Sequence, residues 1–304
     1  MVSLDVKLGA LSLENPTMLA SGILAENAGM IRLAALSGAG AVVTKSIGIL
    51  PREGYPNPTL VDLGFGYINA MGLPNPGIDE FEKELEDAFP SRVPIVGSIY
   101  GTNPDEFAFL GTRMEAMGVA ALELNLSCPH AKGYGMELGI DADAVYSIVR
   151  KVKNSVNIPV FTKLTPNTDR ITDIAKTVER AGGDGVVAIN TLKAMVISID
   201  FKRPILANLY GGLSGKAIKP IGIRCVYELY ENIHIPIIGV GGIENWKDAV
   251  EYIMAGATAI QIGSAVGKKG LNVFRQIING LRRYMKREGY TTISEITGVA
   301  HEFS

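Results

Sequence analysis

Apolar residues gather along this chain in short blocks, most of them continuous, and the segments between them mix apolar and charged residues at helical spacing. The blocks fall at 18–20, 41–44, 95–99, 121–126, 160–164, 185–189, 237–240 and 259–262. A strand wetted on one side alternates, so an unbroken apolar block implies burial on both faces, as in a parallel sheet. Helices are predicted between the blocks, at 81–88, 106–117, 142–153, 171–180, 246–254 and, after the last, 273–287. Near the start Leu4, Val6 and Leu8 alternate, Gly9 offers a turn, and Leu11 and Leu13 alternate again. That reads as a short N-terminal β-hairpin. Eight strand-then-helix units without a linker predict an α/β fold, a (β/α)8 TIM barrel, as a single domain over 1–304. A doubly wound sheet is the rival, but it needs a Gly-rich turn after the first strand, and Ala20-Ser21-Gly22 is meagre for that. Two insertions break the rhythm, at 47–76 and 192–214, and both follow strands. They belong over the C-terminal mouth, where such barrels keep their chemistry.

Composition narrows the function classes. Hydrophobic residues make up 47% of the 304 and charged residues 20%, enough for a large core and against disorder. A net charge of −2 gives no bulk attraction to nucleic acid or anionic membrane. No apolar run approaches the roughly 18 residues of a membrane span, and residues 1–7 lack the make-up of a signal peptide. Cys128 and Cys225 make no disulfide framework and cannot hold an iron–sulfur cluster alone. A cytoplasmic enzyme is expected.

The polar residues gather where strands end. They are Ser21, Lys45 and Ser46, Asn125 and Cys128, Lys163, and Asn190 with Thr191. A lone cysteine is more often a small space-filler, but Cys128 ends a strand under a glycine-containing loop, 130–139, that reads as a lid. The last two strands end in Gly241-Gly242 and Gly263-Ser264. Loops after strands 7 and 8 of a barrel commonly hold phosphate on backbone N–H groups. Lys45 and Lys163, with no matching carboxylates in sight, predict an anionic ligand. No metal site is expected, since His130, His234 and His301 are scattered, and no Gly-x-Ser-x-Gly elbow supports a hydrolase. His234 reads as structural or surface, and the basic turn 282–287 as a solvated helix end.

In order along the chain, Asn125-Leu126-Ser127-Cys128-Pro129, Lys163-Leu164-Thr165-Pro166-Asn167, Asn190-Thr191-Leu192-Lys193, Gly211-Gly212-Leu213-Ser214-Gly215, Ala217-Ile218-Lys219-Pro220 and the two glycine pairs resemble the dihydroorotate dehydrogenases. The resemblance is to the cytosolic, NAD-linked class 1B; the membrane-associated class has an N-terminal extension and a serine base. It implies FMN in the barrel and oxidation of (S)-dihydroorotate to orotate in pyrimidine biosynthesis. Cys128 as thiolate would take the C5 proton while C6 passes a hydride to flavin N5; a thiol suits that role because its ordinary pKa is about 8.5. Lys163 would sit by flavin N1 and the C2 carbonyl, and Lys45 would touch flavin and substrate. Lys45, Asn69 and the backbone amides of Met71, Gly72 and Leu73 would hold the substrate carboxylate. Asn125, Asn190 and Thr191 would hydrogen-bond the pyrimidine edges. Ser21, Ser46, Asn125, Ile189, Ser214 and Gly215 would line the cofactor, with Gly241, Gly242, Gly263 and Ser264 on its phosphate. A homodimeric core and a separate FAD and 2Fe–2S subunit, making a heterotetramer, are implied as partners, with oxygen, fumarate or a quinone as other possible acceptors.

One position departs from the family. His130 follows Cys128-Pro129 where asparagine is usual, and Cys-Pro-His looks more like the barrel domain of dihydropyrimidine dehydrogenases, which act on uracil and thymine. The segment Asn69-Ala70-Met71-Gly72-Leu73-Pro74-Asn75 discriminates between them, because it resembles a carboxylate-binding loop and uracil has no carboxylate. A non-redox barrel using Lys163 as a Schiff base, an isomerase or aldolase, would leave Cys128 and that loop idle. A binding or scaffold role leaves the polar strand ends unexplained.

Overall fold

The computed structural model describes residues 2–126 and 136–303. The chain begins with the expected hairpin, β1 (Val6–Leu8) antiparallel to β2 (Leu11–Leu13). Next come β3 (Thr17–Leu19), α1 (Ala28–Leu36) and β4 (Ala41–Val43). The first excursion carries β5 (Leu60–Asp62) and β6 (Tyr67–Asn69) before α2 (Ile78–Ala88). Strands and helices then alternate through β7 (Ile95–Ile99), α3 (Pro104–Ala116) and β8 (Ala121–Asn125). They continue with α4 (Met136–Ile140), α5 (Ala142–Lys153), β9 (Val160–Leu164), α6 (Ile171–Arg180) and β10 (Gly185–Ala188). The second excursion holds β11 (Leu192–Ala194), β12 (Ile197–Ser198), β13 (Arg203–Pro204) and β14 (Gly211–Ser214). After it come α7 (Lys219–Tyr230), β15 (Ile237–Val240), α8 (Trp246–Met254), β16 (Ala259–Ile262), α9 (Ala265–Lys269) and α10 (Val273–Glu288).

Eight strands close into a parallel barrel in the order β10-β15-β16-β3-β4-β7-β8-β9. Its strands are buried along their whole length, which is what unbroken apolar blocks require. The predicted boundaries shift little. Two helices begin earlier than the apolar pattern shows, and at α3 the reason is capping. Asn103 accepts from the N–H groups of Asp105 and Glu106, and Pro104, which has no N–H to lose, occupies the first turn of α3. Gly77, at φ 80°, precedes α2.

The two insertions meet each other. They form one four-stranded antiparallel sheet, β11-β14-β6-β5, in which Asn69 pairs with Gly212 and Tyr67 with Ser214. Ile68, Ala70 and Leu206 give this sheet a small core separate from the main one. The basic turn at the end of α10 is exposed on Arg282, Arg283, Lys286 and Arg287 while Met285 is buried, and Gly289 ends the helix in the left-handed region at φ 85°. His234 is exposed. The C-terminal segment packs on the barrel through buried Ile293 and Ile296, and the His301 ring stacks on Tyr227 at 3.7 Å.

Candidate active site

A cavity of about 630 Å³ opens between the C-terminal ends of the barrel strands and the insertion sheet, within the usual size of small-molecule sites. Its wall includes Ser21 after β3, Lys45 and Ser46 after β4, Asn125 on β8 and Lys163 on β9. Ile189, Asn190 and Thr191 follow β10; Gly241 and Gly242 follow β15; Gly263 and Ser264 follow β16. The insertion sheet and its loops add Asn69, Met71, Gly72, Leu73, Ser214 and Gly215. Every described residue assigned to the site from sequence is on that wall. Cys128 and His130, with most of the expected lid, lie outside the described residues.

Hydrogen bonds fix the floor. Asn125 and Lys163 are register partners on neighbouring strands, so both reach the same end of the barrel. The Asn125 Nδ2 donates to Ser46 Oγ at 3.0 Å, and Ser46 Oγ lies 2.9 Å from Ser98 Oγ and 3.2 Å from Ser21 Oγ. Ser21 Oγ donates to the Thr44 carbonyl at 2.8 Å, which leaves its oxygen free to accept. With its nitrogen engaged, the buried Asn125 Oδ1 has no hydrogen-bond partner among the described residues. A buried amide oxygen in that state carries a desolvation cost that a ligand donor would remove.

The lysines overturn one expectation. Both have matching carboxylates: Lys45 Nζ lies 3.2 Å from Glu26 Oε1, and Lys163 Nζ lies 3.2 Å from Glu123 Oε1. The Glu26 pair is half open to solvent, whereas Glu123 is enclosed. Gln261 completes the second group, donating from Nε2 to Glu123 Oε2 at 2.5 Å and accepting from Lys163 Nζ at 3.2 Å. Glu123 and Gln261 also line the cavity and went unread in the sequence. The signal was there: a carboxylate inside an apolar strand demands a buried cation. Its spacing of two from Asn125 also puts both on one face.

Above the floor, the Asn69–Asn75 loop is clamped from several sides. Arg52 Nε donates to the Gly72 carbonyl at 2.6 Å, and the Tyr55 N–H to Met71 O at 3.0 Å. Asn75 accepts from the N–H groups of Gly48 and Gly77 and donates to Leu73 O and Tyr100 Oη. Asn69 Nδ2 donates to Gly212 O at 3.2 Å. At the third corner, Asn167 donates to Thr191 O and accepts from the Lys193 N–H, holding the Asn190–Thr191 turn.

The glycine corner is built by conformation. Gly242 has φ 69°, and a Cβ there would stand 2.7 Å from Gly215 O. Gly241, at φ 129°, and Gly215, at φ 92°, are also in the region that favours glycine. Gly263 differs, because a Cβ there meets only ordinary contacts. The Ser264 hydroxyl makes no capping bond to α9, which leaves it available to a ligand. Among the described residues no cluster of His, Cys, Asp or Glu could hold a metal, and no helix is long and apolar enough to cross a membrane.

Comparison with known proteins agrees with this geometry. The family model described as dihydroorotate dehydrogenase matches residues 3–285. The chain is 53% identical to a Pyrococcus furiosus protein named dihydroorotate dehydrogenase B (NAD(+)), catalytic subunit, over 99% of this chain and 100% of that protein. It is 52% identical to a Thermoplasma volcanium protein of the same name, over 99% of each. Among solved structures, a dihydroorotate dehydrogenase from Eimeria tenella in complex with ferulenol superposes with a TM-score of 0.85. The two are 25% identical, and the match covers 98% of this chain and 88% of that one. A closed eight-stranded barrel, a polar cavity at its C-terminal mouth and full-length likeness in sequence converge: the chain belongs to the dihydroorotate dehydrogenase family.

Proposed function

We propose that this chain is the FMN-dependent catalytic subunit of an NAD-linked dihydroorotate dehydrogenase, acting in the cytoplasm as one barrel domain over 1–304. The observation that carries the reading is the convergence of eighteen described site residues, from strands and loops far apart in sequence, on one cavity wall.

The residues present fit FMN. A phosphate suits the corner of Gly241, Gly242, Gly263 and Ser264, where small residues let an anion approach backbone N–H groups. The orphaned Asn125 Oδ1 suits a ring N–H. Ser21, Ser46, Ile189, Ser214 and Gly215 supply the remaining wall, and Lys163 the cation beside the ring's polar edge. Bound FMN supplies the sink for the two electrons that leave the substrate.

The chain's own groups do the rest. Lys45, Asn69 and the backbone of Met71, Gly72 and Leu73 bind the substrate carboxylate, and the clamp from Arg52 and Asn75 presets that loop. Asn125, Asn190 and Thr191 orient the pyrimidine edges. Cys128 Sγ takes the C5 proton. A loop preset for a carboxylate should reject uracil, whose binding would leave buried donors unpaired. Electrons leave through a separate FAD and 2Fe–2S subunit, with two copies of this chain at the centre of a heterotetramer; the words "catalytic subunit" in the relatives' names support a partner.

The test is anaerobic addition of L-dihydroorotate, and separately dihydrouracil, to purified flavin-loaded protein. Bleaching of the visible flavin band by dihydroorotate alone, lost in Cys128→Ala, is expected. Bleaching by dihydrouracil instead would favour the dihydropyrimidine alternative. No flavin uptake would sink both.

A further inference from the structure

Glu123 is 1% exposed inside β8, and no step of the proposed reaction uses it. Its two oxygens are taken by Lys163 on the neighbouring strand and by Gln261 on β16, which lies elsewhere around the barrel. The three side chains close a triangle across the barrel interior, at 3.2, 3.2 and 2.5 Å. Stability does not explain the arrangement, because apolar residues of similar volume often serve as well as a buried ion pair. The triangle has a directional consequence. An ammonium has three N–H donors; Glu123 and Gln261 take two, so one remains for a ligand in the cavity that all three residues line.

We propose that Glu123 is a positioning residue that aims Lys163 at the flavin and offsets its charge, lowering the electron affinity of the bound ring. The inference rests on the FMN reading given above. Reduction adds negative charge to the ring, and in a site shielded from water a nearby fixed charge acts strongly on that equilibrium. Lys163 alone would draw electrons onto the ring; the Glu123 carboxylate opposes it. Gln261 holds the second carboxylate oxygen, so the countercharge stays beneath the lysine.

The experiment is the midpoint potential of bound FMN, measured by dye equilibration on the full-length, flavin-loaded protein. Glu123→Gln should shift the reduction equilibrium toward the reduced ring by tenfold or more, about 30 mV for a two-electron couple. The double variant E123Q/K163Q leaves no buried charge unpaired, so it keeps the proposal testable even if the single variant fails to fold. Its equilibrium should lie within about threefold of wild type, because the two opposed charges leave together. An unchanged potential in E123Q overturns the proposal. So does a double variant whose equilibrium falls tenfold, which would mean that Lys163 acts uncompensated. FMN bound with an unshifted potential sinks this inference alone, whereas wild-type protein that takes up no FMN sinks the functional reading and this one together.

Discussion

The barrel floor and the insertion sheet wall one cavity on opposite structural terms. The floor residues Glu123, Asn125, Lys163 and Gln261 sit on parallel strands buried on both faces and are locked by side-chain bonds, with Ser46 after β4 holding Asn125. The sheet is antiparallel, made from two segments more than a hundred residues apart, with a core of Ile68, Ala70 and Leu206. Its site groups are held mainly through backbone carbonyls, as at Gly72, Leu73 and Gly212. The difference separates two jobs. Fixed charge belongs in the stiff layer, where a shift would be costly; substrate recognition can be carried by an addition to the fold.

Breaking the floor should cost most. Lys163→Met strands the Glu123 carboxylate with no cation, a loss of about 3–5 kcal/mol of stability. Thermal unfolding should show a clear drop in Tm, together with poor flavin retention. A variant that unfolds like wild type would mean that the floor is not the rigid layer.

The sheet should respond in the other way. On the proposed reading Asn69→Ala removes a hydrogen bond to the substrate carboxylate, about 1.5–3 kcal/mol, so KM for dihydroorotate should rise roughly 10- to 100-fold. Flavin content and Tm should stay near wild type, because among the described residues the Asn69 side chain ties only to Gly212 O within the sheet. Loss of flavin in this variant would erase the division of labour between the two layers.

The glycine corner lies between these extremes. Gly242→Ala places a Cβ at φ 69° and 2.7 Å from Gly215 O, a strain of about 1–2 kcal/mol. FMN affinity should fall about tenfold, read by equilibrium titration of the flavin-free protein. Gly263→Ala, whose Cβ meets only ordinary contacts, should lose less.

Much of this was legible in the sequence, and the gaps have physical causes. The barrel followed from the apolar blocks because burial on both faces leaves no room for alternation, and the strand-end residues followed because that is where side chains become free to meet a ligand. The joining of the two insertions into one sheet was not legible, since antiparallel pairing of distant segments leaves no local period. Glu123 and Gln261 were absorbed into apolar blocks, which a single polar residue barely interrupts. The glycines in and after β15 differ in what they do. Gly241 and Gly242 need their backbone angles, whereas a Cβ on Gly239 would stand 2.5 Å from the Tyr252 ring. That glycine makes room for a side chain.

Tyr252 yields the smallest expected effect. It is fully buried on α8, and its hydroxyl donates to Gly241 O at 2.7 Å, tying the helix to the glycine turn. Tyr252→Phe should cost about 1 kcal/mol near neutral pH and weaken FMN only a few-fold. Burial, with smaller effects from Cys225, Asp248 and Glu251, pushes the hydroxyl far above the ordinary tyrosine value of 10.0. A raised folded-state pKa contributes stability that is complete below the unfolded value and is lost as pH rises beyond it. Wild type should therefore lose its advantage above about pH 10, at close to 1.4 kcal/mol per pH unit, and the stabilities of the two proteins should cross at roughly pH 11. Urea unfolding of both across the alkaline range reads this directly. A constant difference at every pH would mean that Tyr252 ionises as easily in the folded barrel as in the open chain, and that its hydroxyl does not hold the turn.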